Sequence, residues 1–185
     1  MFRKIKFRLF WPGLALIVAC AASFSSSFGQ KPSWQDEDGV LDAVTSKKDL
    51  YPADADAKEE IADALKQAVT DHRRVMLVFG GNWCYDCHVL DHALHEGAAG
   101  QIMKEKFVLV HVDIGEGDRN LDLLKKYKIP LEKGVPAVTI LSDDGTLLYS
   151  SGNGEFEAAR RMMRKDLVAF LQEWTKNNSP VTEKH

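Results

Sequence analysis

Residues 74–88 read RVMLVFGGNWCYDCH, and this stretch decides the fold. Arg74–Phe79 is a short apolar run without polar alternation, the pattern of a strand covered on both faces. Gly80, Gly81 and Asn82 break the run as a loop. A helix then starts at the cysteine pair and runs to about Glu96. Two cysteines separated by two residues can close a small disulfide when the first sits at a helix start. Helix N-terminal N–H groups stabilise the thiolate of that first residue, which makes Cys84 the natural nucleophile. Cys87, one turn further on, is placed to resolve the mixed disulfide that Cys84 forms with a substrate. Trp83 would cover one side of the site. This is the redox reading of a C-x-x-C motif.

The flanking sequence supplies the other elements. Asp56 with Glu59 has capping-box geometry, and Ile61, Leu65, Ala68 and Val69 recur at helical spacing as far as His72. Phe107–Val112 reads as a second buried strand, followed by a polar loop over 115–120. Leu121, Leu124 and Tyr127 mark one face of a short helix that Pro130 ends. Gly134-Val135-Pro136 leads into a third strand, Ala137–Leu141. Asp143-Asp144-Gly145 is a hairpin signal, with Thr146–Tyr149 as the returning strand. After Gly152-Asn153-Gly154 comes a final helix of about twenty residues, its apolar stripe formed by Phe156, Met163, Leu167, Phe170, Leu171 and Trp174. The predicted order is helix, strand, helix, strand, helix, hairpin, helix.

With VMLVFG, WCYDC, GVPAV before a hairpin and a terminal amphipathic helix, residues 55–176 resemble the thioredoxin family. The resemblance implies an α/β thioredoxin fold, a central mixed β-sheet flanked by helices on both faces. It also implies that Pro136 follows a cis bond and faces the cysteine pair, while the backbone of Val135 pairs with substrate peptide. Two departures stand out. Thioredoxins carry a buried acid six residues ahead of the first cysteine, where this chain has Val78. They also place Gly-Pro between the cysteines, where this chain has Tyr85-Asp86. The proton acceptor of the resolving cysteine is therefore unidentified, and the chain looks more like exported thioredoxin-like proteins than the cytosolic reductant.

Composition and the leader set the context. The chain has 185 residues, 45% apolar and 28% charged, which suits one globular domain with an appendage. Arg3, Lys4, Lys6 and Arg8 are the only charges before residue 31, and beyond them 20 basic residues face 27 acidic ones. Such a balance lacks the basic footprint of a nucleic-acid binder. The basic start, the apolar stretch from Leu9 to Ala19 and the small residues behind it form an export signal. Ile17-Val18-Ala19-Cys20 resembles a bacterial lipobox, which would lipidate Cys20 and anchor the protein to the membrane. Ordinary cleavage near Ser27-Phe28-Gly29 is the alternative, and an uncleaved anchor a third. The domains are a signal peptide over 1–29 (1–19 if a lipoprotein), a tether and arm over 30–54, the thioredoxin-like domain over 55–176 and a tail over 177–185. Trp34, Val40, Leu41 and Val44 give the arm apolar positions that can pack on the domain.

Three other readings use the same residues. Cys84-Tyr85-Asp86-Cys87-His88 satisfies the C-x-x-C-H of c-type haem attachment, but that account leaves the Val-Pro element without a role. His88, His92 and His95 share a helix face with metal-compatible spacing, so a copper or zinc metallochaperone is the non-enzymatic alternative. Against it stands a polar outer face of the active-site helix. A purely structural disulfide is disfavoured because so short a loop constrains little chain.

The expected activity is thiol–disulfide exchange on exported, periplasmic proteins, with no metal and no cofactor, because a partner protein's dithiol supplies or accepts the electrons. Asp86 places a negative charge in the first helical turn and should disfavour the Cys84 thiolate, with His88 as the opposing tuner. The balance points to a reducing pair.

Overall fold

The computed structural model describes residues 38–45 and 49–176. The leader with Cys20, Trp34 of the arm and the 177–185 tail lie outside the described residues. Strand β1 (Arg74–Gly80) organises a four-stranded mixed sheet of order β2-β1-β3-β4. It runs parallel to β2 (Phe107–Asp113) and antiparallel to β3 (Ala137–Leu141), and β4 (Leu147–Ser150) returns antiparallel along β3. This is the thioredoxin fold expected from the sequence.

Side chains alternate across a strand, so β1 feeds two cores. Met76 and Val78 pack with Val89, Leu90 and Leu94 of α2 (Tyr85–His95), Met103 of α3 (Gly97–Lys106) and Leu167 and Leu171 of α5 (Arg164–Lys176). Val75, Leu77 and Phe79 pack on the opposite face with α1 (Ala57–Asp71) and α4 (Leu121–Lys126). Burial on both faces is why β1 reads as a continuous apolar run. Helix α1 opens where the sequence puts it: the Asp56 carboxylate accepts hydrogen bonds from the N–H groups of Lys58 and Glu59 at 3.0 and 3.1 Å. Its buried row is Ala57, Ile61, Ala64 and Ala68, whereas Val69 is exposed.

Four sequence expectations need correction. Between Glu96 and Phe107 lies an unforeseen helix, α3, which turns off α2 at Gly97, a residue with φ of 56°. In α4 it is Leu123 and Leu124 that are buried, while Leu121 faces solvent. The returning strand of the hairpin starts one residue later, at Leu147. The single final helix is in fact a 3-10 turn at Ala159–Arg161, an extended Met162 and the 13-residue α5. The arm pairs with the chain at that break. Val40 bridges Met163, and the Leu41 N–H donates to the Met162 carbonyl at 2.9 Å. The Arg164 N–H donates to the Gly39 carbonyl at 2.8 Å. Leu41 itself is 4% exposed and belongs to the core on the α2 side. Among the described residues no helix is long and apolar enough to cross a membrane.

Candidate active site

The site forms where β1 stops and α2 begins. Cys84 is the N-cap of α2, in extended conformation, and its Sγ accepts the Cys87 N–H at 3.1 Å. A disulfide joins the two cysteines, whose Cα atoms are 5.3 Å apart. Cys84 retains 5% exposure and Cys87 has none, so the first thiol lies at the surface and the second beneath it. The loop between strand and helix tolerates little bulk. A Cβ on Gly80 would sit 2.6 Å from both Cys87 Sγ and the Tyr51 hydroxyl oxygen, and one on Gly81 would sit 2.6 Å from Trp83 Nε1.

Asn82 ties the chain ahead of α1 onto this loop. Its Oδ1 accepts the N–H groups of Leu50 and Tyr51 at 3.0 and 3.2 Å. Its Nδ2 donates to the Tyr51 carbonyl at 2.9 Å and to Asp49 Oδ1 at 2.7 Å. Tyr51 is thereby held against Cys84 and Cys87, 2% exposed, with Leu50 and Val135 completing the cluster. Burial raises the Tyr51 phenol above its ordinary range, and the carboxylates of Asp91 and Asp113 push it further.

The residues singled out from sequence converge here. The Val135–Pro136 bond is cis, and the Val135 carbonyl oxygen lies 3.6 Å from Cys84 Sγ. Trp83 is half-exposed, and its Nε1 donates to the Gly115 carbonyl at 2.8 Å. Beside it opens a groove of about 320 Å³, with Trp83, Ile114, Leu131 and Val135 on its walls and Glu116 and Glu157 among its lining.

Asp86 and His88 have surroundings that the sequence did not disclose. Asp86 is buried, and its carboxylate accepts the Arg160 backbone N–H at 2.8 Å and pairs with the Arg160 guanidinium. A paired carboxylate projects less field onto Cys84 than the lone charge assumed from sequence. His88 is buried rather than solvated, with Nε2 3.0 Å from the Asn82 carbonyl oxygen. His95 is half-exposed, with Nδ1 2.7 Å from the Asp91 carbonyl oxygen. His88, His92 and His95 therefore do not form the uniformly solvated face that helical spacing suggested. Among the described residues no three His, Cys, Asp or Glu side chains converge to hold a metal. Sequence reasoning missed Tyr51 and Arg160, because each meets its partner in the site from more than thirty residues away. It read Asn82 only as a loop residue, because the groups its side chain holds lie equally far back in the chain.

A family model described as thioredoxin-like matches residues 56–142. The crystal structure of a disulphide isomerase from Xylella fastidiosa Temecula1 aligns with a TM-score of 0.66 at 34% identity, covering 71% of this chain and 100% of that one. A DsbH oxidoreductase aligns with a TM-score of 0.48 at 24% identity, covering 62% of this chain and 81% of that one. The oxidised C-terminal domain of Neisseria meningitidis DsbD aligns with a TM-score of 0.47 at 20% identity, over 67% of this chain and 97% of that one. No curated protein matches the chain in sequence.

Proposed function

The chain belongs to the thioredoxin-like family and is a thiol–disulfide oxidoreductase; from this we propose that it reduces disulfides of exported proteins, with Cys84 attacking and Cys87 resolving. The observation that carries the assignment is the difference in access: Cys84 caps the helix at the surface, while Cys87 lies sealed below it. In the reduced protein the Cys84 thiolate attacks one sulfur of a substrate disulfide, and the other sulfur leaves as a thiolate. Cys87 then attacks Cys84 Sγ, closing the Cys84–Cys87 disulfide and releasing the second substrate thiol. Two electrons pass to the substrate, and a partner protein's dithiol returns them. Trp83 and Val135 border the groove in which the substrate chain would lie, with Pro136 following Val135 through the cis bond. The cycle moves electrons between thiols and disulfides and calls for no cofactor.

Support for the reductive direction lies in what faces Cys84. The thiolate has the helix N-terminus and the Cys87 N–H to stabilise it. The nearby cation, Arg160, is engaged by Asp86, and His88 directs Nε2 to the Asn82 carbonyl. A thiolate with so few partners belongs to a pair nearer about −270 mV than about −120 mV. Equilibration against glutathione or dithiothreitol buffers measures this, and a potential at the oxidising end would overturn the reductive assignment. Isomerisation is the second reading, favoured by the 34%-identical structure, which is that of a disulphide isomerase. Reactivation of a protein with scrambled disulfides, without net change in thiol content, would select it.

Export rests on the leader, with its basic start, its apolar stretch from Leu9 to Ala19 and no charge over 9–30. The Ile17–Cys20 lipobox supports a lipid anchor on the periplasmic side of a bacterial membrane. A mature N-terminus at lipidated Cys20 by mass spectrometry supports the anchor, and one at Gln30 overturns it.

A further inference from the structure

Cys87 can attack only as a thiolate, yet it has no exposed surface through which bulk water could take its proton. The strand position that holds an acid in thioredoxins is Val78 here, buried and unable to titrate. In the sheet register Val78 lies directly beside His111 of the neighbouring parallel strand. Side chains in register on adjacent strands point to the same face, so His111 projects from β2 toward the layer that holds α2. There His111 Nε2 lies 3.2 Å from Oδ1 of Asp91, a carboxylate whose side chain is 5% exposed. Asp91 follows Cys87 by four residues on α2, which stacks the two side chains on one helix face, with Cβ atoms roughly 5–6 Å apart. The third member is Tyr51, clamped by Asn82. Its ring meets the His111 ring edge-on at 5.3 Å, and its hydroxyl is buried without a hydrogen-bond partner among the described residues. That hydroxyl and Cys87 Sγ are both 2.6 Å from the point a Gly80 Cβ would occupy.

We propose that Asp91 and His111 together accept the proton of Cys87, and that the Tyr51 hydroxyl donates a hydrogen bond to the thiolate that remains. The proposal rests on the reading of Cys87 as the resolving thiol. In the step, the Cys87 S–H proton passes to the His111 imidazole, and Asp91 balances the charge of the imidazolium. The Cys87 sulfur forms its bond to Cys84 Sγ as the Cys84–substrate bond breaks, and the substrate leaves as a thiolate. Tyr51 stays protonated throughout, as its burial beside two carboxylates dictates. The other groups facing this set are Asp113, bound by Arg119, and His95, whose Nδ1 lies 3.4 Å from Asp91 Oδ1. The acid that the fold places in the central strand has thus been redistributed to the neighbouring strand and the helix. His111 takes the proton, Asp91 acts through His111 as a positioning residue, and Tyr51 packs in one cluster with the two cysteines.

The test uses the reduced, full mature chain and a small aromatic disulfide whose released thiolate is coloured. The first equivalent of colour reports attack by Cys84, and the second reports resolution by Cys87. His111→Gln and Asp91→Asn should leave the first phase within about twofold and slow the second roughly a hundredfold near neutrality. The second phase should also become proportional to hydroxide concentration, which a merely structural role would not produce. Tyr51→Phe removes only the hydroxyl oxygen and should slow the second phase about tenfold. An intact first phase with an unchanged second phase and pH profile in His111→Gln and Tyr51→Phe would overturn this proposal alone. Absence of the first phase in the wild type would overturn the reading of Cys84 and this proposal with it.

Discussion

The Asp86–Arg160 pair offers a charge experiment that reads directly on Cys84. Asp86 is 7% exposed and two residues from Cys84, and Arg160 reaches it from the turn ahead of α5. A unit charge roughly 8 Å from the sulfur, at an effective dielectric of about 20–40, contributes about 1–2 kcal/mol. That corresponds to about one pKa unit of the Cys84 thiol. For a two-electron couple it corresponds to about 20–40 mV. Arg160→Gln exposes the Asp86 charge, so it should raise the Cys84 pKa and make the pair more reducing. Asp86→Ala removes that charge and leaves the guanidinium, so it should lower the pKa and raise the potential. The double variant should return close to the wild type, because neither charge remains. Thiolate absorbance against pH and equilibration in glutathione buffers give the two readings. Shifts of the same sign in both single variants, or no shift in Asp86→Ala, would refute the electrostatic account. Arg160→Gln should also destabilise the fold modestly, since its backbone N–H still satisfies one Asp86 oxygen.

Other perturbations test the arm, the groove and the half-buried Tyr149 phenol. Leu41→Ala should cost about 2–5 kcal/mol in urea unfolding, because it opens a cavity where the arm meets the core; an unchanged midpoint would show that the arm does not contribute. Trp83→Ala should raise KM for a peptide disulfide while leaving attack on a small aromatic disulfide unchanged, and equal effects on both would deny the groove a role. Tyr149 is raised by burial first and by Glu155 next, so the folded state holds its proton more tightly than the unfolded state does. Its contribution is complete below about pH 10. It is lost as pH rises further, so stability should decline there and Tyr149→Phe should flatten the decline.

What the sequence disclosed follows from how far apart the cooperating residues lie. The strand before the cysteines was legible because both its faces are buried, which leaves an unbroken apolar run. The hairpin was legible from Asp143-Asp144-Gly145, where Gly145 has a φ of 85°. Helix α3 escaped because Gly97-Ala98-Ala99-Gly100 carries no apolar period, and only Ala99 and Met103 are buried on it. The last helix reads longer in the sequence than it is, because Phe156 and Met163 happen to fit a helical stripe. Phe156 is buried from a turn, and Met163 pairs its backbone with the arm. At the site, Cys84, Cys87, Trp83, Val135 and Pro136 announce themselves through local spacing. Arg160 and His111 do not: each acquires its partner only when the chain folds, 74 residues from Asp86 in one case and on a neighbouring strand in the other. A sequence pattern records local geometry, and these contacts are long-range.

The central claim is that Cys84 attacks and Cys87 resolves, and trapping the covalent intermediate tests it most directly. Reduced Cys87→Ser protein, incubated with a disulfide-containing peptide, should accumulate a stable adduct that mass spectrometry places on Cys84. Cys84→Ser should form none under the same conditions, because its remaining thiol is sealed beneath the surface. Failure of Cys87→Ser to trap peptide, or equally rapid adduct formation on Cys87 in Cys84→Ser, would contradict the account.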